Sequence, residues 1–499
     1  MAAATATESV EPGDKVTLRV MVDKQKNEVV YAEAGKDFVE ALLSFLTMPL
    51  GTIARLVAKD SNMKPVKFGS ISSLYQSVSD LDEQYLCSHI CKEMLLNPMN
   101  SMGVYYEKVK LNIDDTPTRV FLCEDWICVR CMRCMRCMSI FSNPKCPCGK
   151  LLEISDGSLI AVENGFVMKG ATFIIDDNLC LMPNDLGTSL CLLQKRGING
   201  TADIEKKTIL VGKKEVADLL KLSLLSKTPL TDFVLKNSQI LCNSNPNSEI
   251  KLGKCLPSDS DEGKQMVVKV LRRKSNRKIL FATAEEDFAD FLFSFLTFPL
   301  GGVLHMLEGS SSLSCIDVLY RSIKELSPER CLTSKLLKDL LAKPPIFPKY
   351  DELRSQILPI GTIKLIYESD SDGMDSIEKK SPNSGGYATS PLTIMVTDDL
   401  VVTPMSSVDG VSYLERMNVP FNDVEELVIR IGLKEGLSIL KASLTSTSAL
   451  TNALNHYIDI YTIAYVHGRK LICWANLTSD NALTDRLYNL KKPKEEYEV

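Results

Sequence analysis

The sequence predicts an α+β protein of two tandem homologous lobes, each built from antiparallel β-hairpin-plus-helix units in the repeat order A-B-A′-B′. One observation is a duplicated octapeptide, because Ser44–Gly51 returns at Ser294–Gly301 with seven of eight positions identical. Each copy also follows two segments in which apolar and polar residues alternate, which is typical of half-buried strands. Finally, Phe173–Pro183 matches Ile394–Pro404 at an offset of 221 residues. Internal duplication therefore indicates architecture more directly than chemistry.

The first A unit has the pattern of a hairpin followed by a helix. Val16–Asp23 and Glu28–Ala34 are predicted strands, separated by a polar turn. From about Lys36, apolar side chains recur at steps of three and four, as on a helix with one buried stripe. Pro49 and Gly51 are expected to end this helix, since proline lacks a backbone donor and glycine favours helix ends.

The A′ unit repeats this plan 250 residues later. Met266–Leu271 and Ile279–Ala284 are predicted strands on either side of a basic turn, Arg272–Lys278. The helix that follows keeps four residues identical to those of the first copy: Asp287, Phe288, Leu292 and Phe295. The repeat is too long to arise by chance.

The B units consist of a strand pair and a helix. Phe173–Pro183 is predicted to form two strands around a turn, and the turn-forming chemistry of aspartate explains Asp176 and Asp177 better than acid–base catalysis does. Further on, Val211–Leu235 matches Ile431–Asn455 at an offset of 220 residues, which predicts a helix in each segment.

These repeats predict the division of the chain into domains. The expected parts are a disordered N-terminus (1–14), a first lobe (15–240), a linker (241–265), a second lobe (266–475) and a charged C-terminal tail (476–499). A cysteine-rich segment resembling a zinc knuckle, 121–150, is inserted in the first lobe and has no equivalent in the second.

Composition and charge are those of an ordinary globular chain. Of 499 residues, 45% are hydrophobic and 24% charged, with a formal net charge of −5. This composition argues against a mainly disordered chain, and the negative charge gives no general attraction to nucleic acid or anionic membranes. No stretch of about 18 apolar residues offers a membrane span, and Met1–Asp14 lacks the features of a targeting signal. We therefore expect a soluble protein of the cytoplasm or nucleus with no membrane partner.

Seven of the sixteen cysteines crowd into Cys123–Cys148. In a reducing compartment cysteines are buried small residues or metal ligands rather than disulfides. Structural zinc takes four thiolate or imidazole ligands, usually as two close pairs. The preferred ligand set is Cys128, Cys131, Cys146 and Cys148, with Cys123 next in line.

The first ligand pair stays ambiguous, because Cys131/Cys134, Cys134/Cys137 and Cys123/Cys128 are also closely spaced. The competing interpretation is a run of thiols without metal, produced by slippage of a DNA repeat that encodes Cys-Met-Arg. If Zn²⁺ is bound, we expect it to be structural, since no histidine lies in this segment and catalytic sites commonly use one.

Basic residues accompany the cysteines. Five positive charges and no acid occur between Cys128 and Lys150, and such a segment could contact phosphates. Aromatic side chains on which bases could stack are nearly absent there, so a solvated basic loop is the favoured interpretation. A nucleic acid partner is therefore possible but not favoured.

Catalytic motifs are absent. The sequence contains no phosphate-binding glycine loop, no nucleophile elbow and no H-E-x-x-H, and its four histidines are scattered. The duplicated positions have the character of core residues, whereas reactive polar residues do not recur. The leading hypothesis is a non-enzymatic interaction or scaffold protein with an unknown protein partner. The alternatives are a nucleic-acid-associated protein that uses the basic cysteine knuckle, and an enzyme with an unfamiliar site at the lobe interface.

Several motifs resemble those of a known family. They are A-E-A-G-K-D-F-V-E-A-L-L-S-F-L-T-M-P-L-G-T at 32–52, its copy at 281–301, G-F-V-M-K-G-A-T-F-I-I-D-D-N-L at 165–179, and E-V-A-D-L-L-K-L-S-L-L-S-K-T-P-L-T at 215–231. Together with C-P-C-G-K at 146–150, they resemble the plant-specific family called domain of unknown function 674. The resemblance implies a plant source and tandem repeats, but no activity. Cys131, Cys134 and Cys137 go beyond the family pattern, so the ligand set stays open.

Overall fold

The computed structural model describes residues 15–106, 109–116, 120–123, 152–155, 165–235, 264–346, 356–361 and 386–459. We call residues 15–235 the first half and residues 264–459 the second half. The elements of the first half are β1 (Val16–Asp23), β2 (Glu28–Gly35), α1 (Lys36–Thr47), α2 (Leu50–Val57), α3 (Gly69–Asp80), α4 (His89–Leu96), α5 (Gly103–Tyr106), β3 (Val120–Cys123), β4 (Leu152–Ser155), β5 (Thr172–Asp176), β6 (Leu181–Pro183), α6 (Leu186–Lys195), β7 (Ile204–Val211), α7 (Lys213–Leu225) and α8 (Pro229–Leu235).

The second half contains a similar series of elements, without a counterpart of β3 and β4 among its described residues. They are β8 (Met266–Arg273), β9 (Ile279–Ala284), α9 (Glu286–Ser294), α10 (Leu300–Met306), α11 (Ser314–Glu325), α12 (Pro328–Cys331), α13 (Lys335–Ala342), β10 (Ile394–Thr397), β11 (Val402–Pro404), α14 (Ser407–Arg416), β12 (Val424–Ile431), α15 (Leu433–Thr445) and α16 (449–459).

Each half contributes one five-stranded antiparallel sheet. The strand orders are β6-β5-β2-β1-β7 and β11-β10-β9-β8-β12, so the two sheets correspond strand for strand. Within each sheet the predicted hairpin lies in the middle and the predicted strand pair extends it on one side. The prediction of an α+β protein with antiparallel strands is confirmed.

The strands β7 and β12, which form the edge of each sheet beside the hairpin, were not predicted. β7 pairs with β1 along its whole length, from Val16 opposite Val211 to Asp23 opposite Ile204. β12 pairs with β8 in the same way. Neither pairing contains a register shift, whereas the β1–β2 and β8–β9 pairings each contain one. Both outer strands are therefore regular and eight residues long.

The inner face of each sheet packs against helices. On α1 the side chains of Phe38, Leu42 and Phe45 are at most 1% exposed, and their counterparts on and just after α9 are fully buried. Burial of one such side chain contributes roughly 1.5–3 kcal/mol, so the predicted apolar stripe is a main source of stability. The outer faces are only partly covered, by α6 in the first half and α14 in the second.

The two octapeptide copies lie against each other. Pro49 and Pro299 form an isolated antiparallel bridge. Beside it, the N–H of Leu50 donates to the carbonyl of Phe298 at 2.9 Å, and the N–H of Leu300 donates to the carbonyl of Met48 at 3.0 Å. The repeated stretch therefore joins the two halves, in addition to ending a helix in each.

Glycine is required at this junction. A Cβ at Gly51 would lie 3.0 Å from the carbonyl oxygen of Leu296, and a Cβ at Gly301 would lie 2.9 Å from that of Leu46. The expectation that Gly51 ends the first helix is wrong: α1 already ends at Thr47, and Gly51 lies inside α2. The glycine is needed for close backbone approach rather than for helix termination.

Helices also pack across the two halves. α3 packs against α15, and α11 packs against α7. The hydroxyl of Ser70 on α3 donates to the carbonyl of Ser446 at 2.6 Å, and the Cys315 thiol on α11 donates to the carbonyl of Ser226 at 3.3 Å. Buried apolar side chains of both halves form one continuous core. Within the described ranges, no helix has the length and apolarity needed to cross a bilayer.

Candidate functional site

Most of the predicted zinc ligands lie outside the described residues: Cys128, Cys131, Cys146 and Cys148. Cys123 is the last residue of β3 and stands opposite Leu152, the first residue of β4. The β3–β4 ladder therefore brings the two ends of segment 124–151 side by side. The zinc prediction itself stays untested.

Among the described residues, no three or more histidine, cysteine, aspartate or glutamate side chains are grouped so as to hold a metal ion. Two of the thiols described there, Cys180 and Cys315, are not activated nucleophiles either. Burial raises the pKa of Cys180 and of Cys315 to about 11, so both stay protonated at neutral pH.

Two buried acidic side chains occupy equivalent helices. Glu40 on α1 is 0% exposed, and its Oε1 accepts the N–H of Val167 at 2.9 Å. Asp290 on α9 is 2% exposed, and its Oδ1 accepts the N–H groups of Tyr387 and Ala388, each at 2.8 Å. Burial raises the pKa of both carboxyl groups, for Asp290 to about 7, while the backbone donors oppose the shift. Each carboxyl group therefore fixes the path of one loop.

A glycine with positive φ begins each of these loops. Gly165 has φ +63°, and a Cβ there would lie 2.5 Å from Oε1 of Glu40. Gly386 has φ +134°, and a Cβ there would collide with Oδ2 of Asp290. Only glycine combines this backbone conformation with so close an approach to the acid.

The loops then reach the other half, and we call residues 165–168 and 386–389 the crossing loops. In the first, the N–H of Met168 donates to the carbonyl of Cys331 at 3.1 Å, and the carbonyl of Phe166 accepts the N–H of Thr333 at 2.9 Å. The second contacts residues 85–87 through the same kind of bonds, with Ala388 opposite Leu86. Each buried acid thus supports a contact between the halves.

A second pair of buried acids links the strand pair of each half to the last helix of that half, α8 or α16. Asp177 accepts both the N–H of Thr231, at 2.8 Å, and its hydroxyl, at 2.7 Å. In the second half, Asp398 accepts the N–H of Thr451 at 2.8 Å. The neighbouring Asp176 accepts two backbone N–H groups of its own turn, which confirms the turn-forming role predicted for it.

Polar residues recur between the copies in addition to the core positions that the sequence singled out. Glu40 and Asp290, Asp177 and Asp398, and the two threonines occupy equivalent places. Their oxygens bind backbone N–H groups within the fold, so what recurs is structural polarity. The available signal was an acidic residue at the same position of both copies of the helix, two residues after the first phenylalanine.

Lys221 is a buried amine that could act as a nucleophile, but it is bound to backbone. Its Nζ donates to the carbonyls of Lys59, at 2.8 Å, and Met63, at 3.0 Å, and to the hydroxyl of Ser61 at 2.8 Å. Burial lowers the pKa of this amine. These bonds, with a longer one to the carbonyl of Lys64 at 3.4 Å, hold the loop after α2 against α7.

The predicted basic turn, Arg272–Lys278, is largely neutralised, and its first two residues belong to β8, which ends at Arg273 rather than at Leu271. Arg272 lies 2.8 Å from a carboxylate oxygen of Glu425 and 3.3 Å from one of Asp459. Arg273 pairs with Asp423 at 2.6 Å, and Arg277 pairs with Asp459 at 2.9 Å. Acidic neighbours therefore reduce the attraction of this turn for phosphates.

The outer strands leave apolar side chains exposed to solvent. On β7, Leu210 is 61% exposed, and on the β8–β12 pair, Val267 and Val428 are 59% and 62% exposed. The outer-face helices lie on the same side of each sheet but leave these three side chains exposed. α6 packs with Val30, Ile174 and the first residue of β7, Ile204. α14 packs with Leu280, Met395 and the first residue of β12, Val424. The surfaces along β7 and β12 are the candidate interaction sites.

Comparison with known proteins gives a family and nothing further. No curated protein and no solved structure matches the chain significantly. The family model described as "Protein of unknown function (DUF674)" matches residues 13–434, which is most of the chain. The chain therefore belongs to the DUF674 family, as its duplicated motifs indicated.

Proposed function

We propose that this protein is a non-enzymatic interaction or scaffold protein that binds protein partners along β7 and β12. The supporting observation is that both sheets end in a regular eight-residue strand flanked by exposed apolar side chains. Strand edges carry unpaired backbone donors and acceptors, which can bind an added strand. The buried acids and Lys221, by contrast, are bound to backbone within the fold.

We further infer that the halves are tandem homologous lobes of A-B-A′-B′ order. The equal strand order, the paired octapeptides and the equivalent buried acids support this inference. A repeated scaffold offers two similar edges with different side chains, which suits a protein that binds partners at more than one place.

The interaction proposal is tested by capture from plant extract, since the sequence resembles a plant family. The bait is the full chain, compared with a variant carrying both Leu210→Lys and Val428→Lys. Lysine at an exposed edge position disfavours strand addition. We expect partners that are captured reproducibly by the wild type, identified by mass spectrometry, and lost with the double variant.

The control bait carries Leu336→Lys, because Leu336 is 67% exposed on α13, away from both edges. This bait should retain the same partners. Absence of any reproducible partner, or equal capture by all three baits, contradicts the proposed function.

We also propose a structural zinc site formed by Cys128, Cys131, Cys146 and Cys148, with Cys123 as the replacement ligand. The pairing of β3 with β4 supports this proposal, because Cys123 and Leu152, which flank segment 124–151, stand opposite each other. Such a site needs reduced thiols, so we place the protein in the cytoplasm or nucleus.

Metal analysis of the purified chain tests the zinc proposal. We expect one zinc per chain, a lower melting temperature after chelation, and loss of the metal in Cys146→Ser. The matched control is Cys191→Ser, since Cys191 is an exposed cysteine of α6. Zinc-free wild-type protein, or equal zinc in both variants, contradicts the proposal.

A further inference from the structure

We propose that β12 is a self-association site, where the β12 strand of a second copy of this chain adds antiparallel across a two-fold axis centred on Val428. The result is one continuous sheet of ten strands. The inference rests on the proposed function in that it uses the same sheet edge, and it names the partner as the chain itself.

The first supporting observation is the regularity of the edge. β12 pairs with β8 at all eight positions without a bulge. Only one side of a strand is used by such a pairing, so alternate backbone N–H and C=O groups of β12 point away from β8. In the described part of the chain, no strand lies on that side. A long, flat and uncovered edge is the geometry that accepts another strand.

The second observation is a self-complementary series of side chains. Glu426, Val428 and Arg430 alternate along β12, point to the outer face and are exposed. With Val428 opposite Val428 of the second copy, antiparallel pairing places Glu426 opposite Arg430, and the two-fold axis generates this pair twice. Shifting the centre to either neighbouring residue breaks both charge pairs.

The charges needed for this pairing are available. Within the described ranges, the one ion pair of Glu426 is a long 4.0 Å contact with Lys269, and both side chains are about 60% exposed. Among the described residues, Arg430 has no ion pair. Val267 stands opposite Arg430 on β8 and adds exposed apolar surface on the same outer face, one strand away from the contact.

The equivalent edge of the first sheet lacks this pattern. At an offset of 220 residues, β7 carries Lys206, Thr208 and Leu210 in place of the acid, valine and arginine. The same two-fold pairing would place Lys206 opposite Leu210 and form no charge pair. The complementarity is therefore specific to β12.

Sedimentation equilibrium of the purified full chain over a range of concentrations tests the proposal. We expect a monomer–dimer equilibrium that weakens with added salt, because the contact is small and its charge pairs are exposed. Glu426→Arg should weaken the dimer by at least about tenfold, since it replaces both attractive pairs by like charges. Arg430→Glu should do the same.

The decisive variant combines Glu426→Arg with Arg430→Glu, which restores complementarity and should return the dimer to near wild-type strength. The matched control is Lys206→Glu, the corresponding charge reversal on β7, which should leave the dimer unchanged. Circular dichroism melting checks that each variant is folded.

A monomer at all concentrations overturns the proposal, whether the edge is free or covered by residues 460–499 of the same chain. A dimer that the double charge exchange fails to restore overturns it as well. Neither result bears on capture of other proteins, so the proposed function can survive the loss of this inference.

Discussion

The buried carboxyl groups of Glu40 and Asp290 determine where the crossing loops lie. Each is held within a helix and accepts backbone N–H groups of a loop more than 90 positions away in the sequence. A buried polar group without a partner is destabilising, so the acid and the loop depend on each other. These single residues connect a helix of one half with a contact to the other half.

Replacing Asp290 by alanine should destabilise the protein. The change leaves the N–H groups of Tyr387 and Ala388 without their acceptor, and each buried unpaired donor costs about 1–3 kcal/mol. The free energy of unfolding in urea measures the loss. Asp290→Asn keeps a carbonyl acceptor and should cost much less, so equal losses for the two variants would exclude the hydrogen bonds as the cause.

The protonation of Asp290 should make stability depend on pH. Its pKa is about 7 in the folded protein against an ordinary 3.8, because it is buried. Between these values the folded state holds a proton that the unfolded state has released, so this group's stabilising contribution is complete below pH 3.8 and is lost as the pH rises to 7.

Comparing the wild type with Asp290→Asn isolates this group, because the pKa shift of Asp177 to about 6 is common to both proteins. Unfolding free energies measured from pH 4 to pH 8 should fall more for the wild type, by up to about 1.4 kcal/mol per pH unit within the window. Parallel curves for the two proteins would contradict the assignment.

Sequence reasoning located these residues only in part. The helical stripe around Phe38 and Phe288 predicted which face is buried. The acids lie two positions after these phenylalanines, on the opposite side of helices that are buried all round from Phe38 and Phe288 onward. They went unnoticed, because their partners lie on loops 127 and 97 positions further along the chain. Periodicity within one helix carries no information on such distant partners.

At the scale of elements, the octapeptide copies join α1 and α2 to their counterparts. Each copy ends one helix, starts the next at a proline and donates a backbone bond to the other copy. The backbones approach closely because both copies have glycine two residues after the proline. The repeat is therefore a contact between copies as well as a feature of each.

Gly301→Ala should destabilise the protein by about 1–3 kcal/mol, because the new Cβ meets the carbonyl of Leu46 and the ring of Pro344. Thermal unfolding measures the effect. Gly200→Ala is the control, since a Cβ there has no neighbour within 4 Å. Equal melting temperatures for the two variants would show that the junction can relax.

Local pattern predicted the middle of each sheet well and its outer strand poorly. Alternation gave β1 and β9 with their observed bounds, and helical spacing gave α1 and most of α7. β7 and β12 were missed for two reasons. Their outward-facing positions hold both polar and apolar residues, so the expected alternation is absent, and the strands with which they pair lie about 190 and 160 positions earlier in the chain.

At the scale of the whole molecule, the halves depend on each other for burial. α3 and α11 each pack against a helix of the other half, and the apolar core runs through both. The glycine of α3 at position 69 lies so close to the carbonyl of Ser443 that a Cβ would collide with it. Separation would expose apolar surface that each half buries in the other.

The halves should therefore fold only together. Residues 1–250 and 251–499, produced separately, are expected to aggregate or to lack cooperative unfolding. Produced together with an affinity tag on one fragment, they should co-purify and show the melting of the intact chain. The control is intact protein cut in the 241–265 region, whose pieces should separate only in denaturant. A single fragment that unfolds cooperatively as a monomer would contradict this expectation.

The duplicated sequence did not predict how the two halves pack against each other. Two similar halves could each bury their apolar helix faces within themselves, or could bury them against the other half. The same pattern of apolar residues in the sequence is expected in both arrangements. The small residues Gly69 and Ser70, at the start of α3, take part in the exchange. Their role depends on the partner helix α15, more than 360 positions away.

The crossing loops also bear on how this family can diversify. Each follows a stretch of very different composition: the cysteine-rich residues 124–151 lie upstream of Gly165, and the serine- and aspartate-rich residues 362–385 precede Gly386. Since a glycine and a buried acid fix the chain immediately afterwards, we expect replacement of either upstream segment to leave the packing of the described core unchanged. Both places are therefore where we expect an engineer to be able to exchange one segment for another while the rest of the fold is kept.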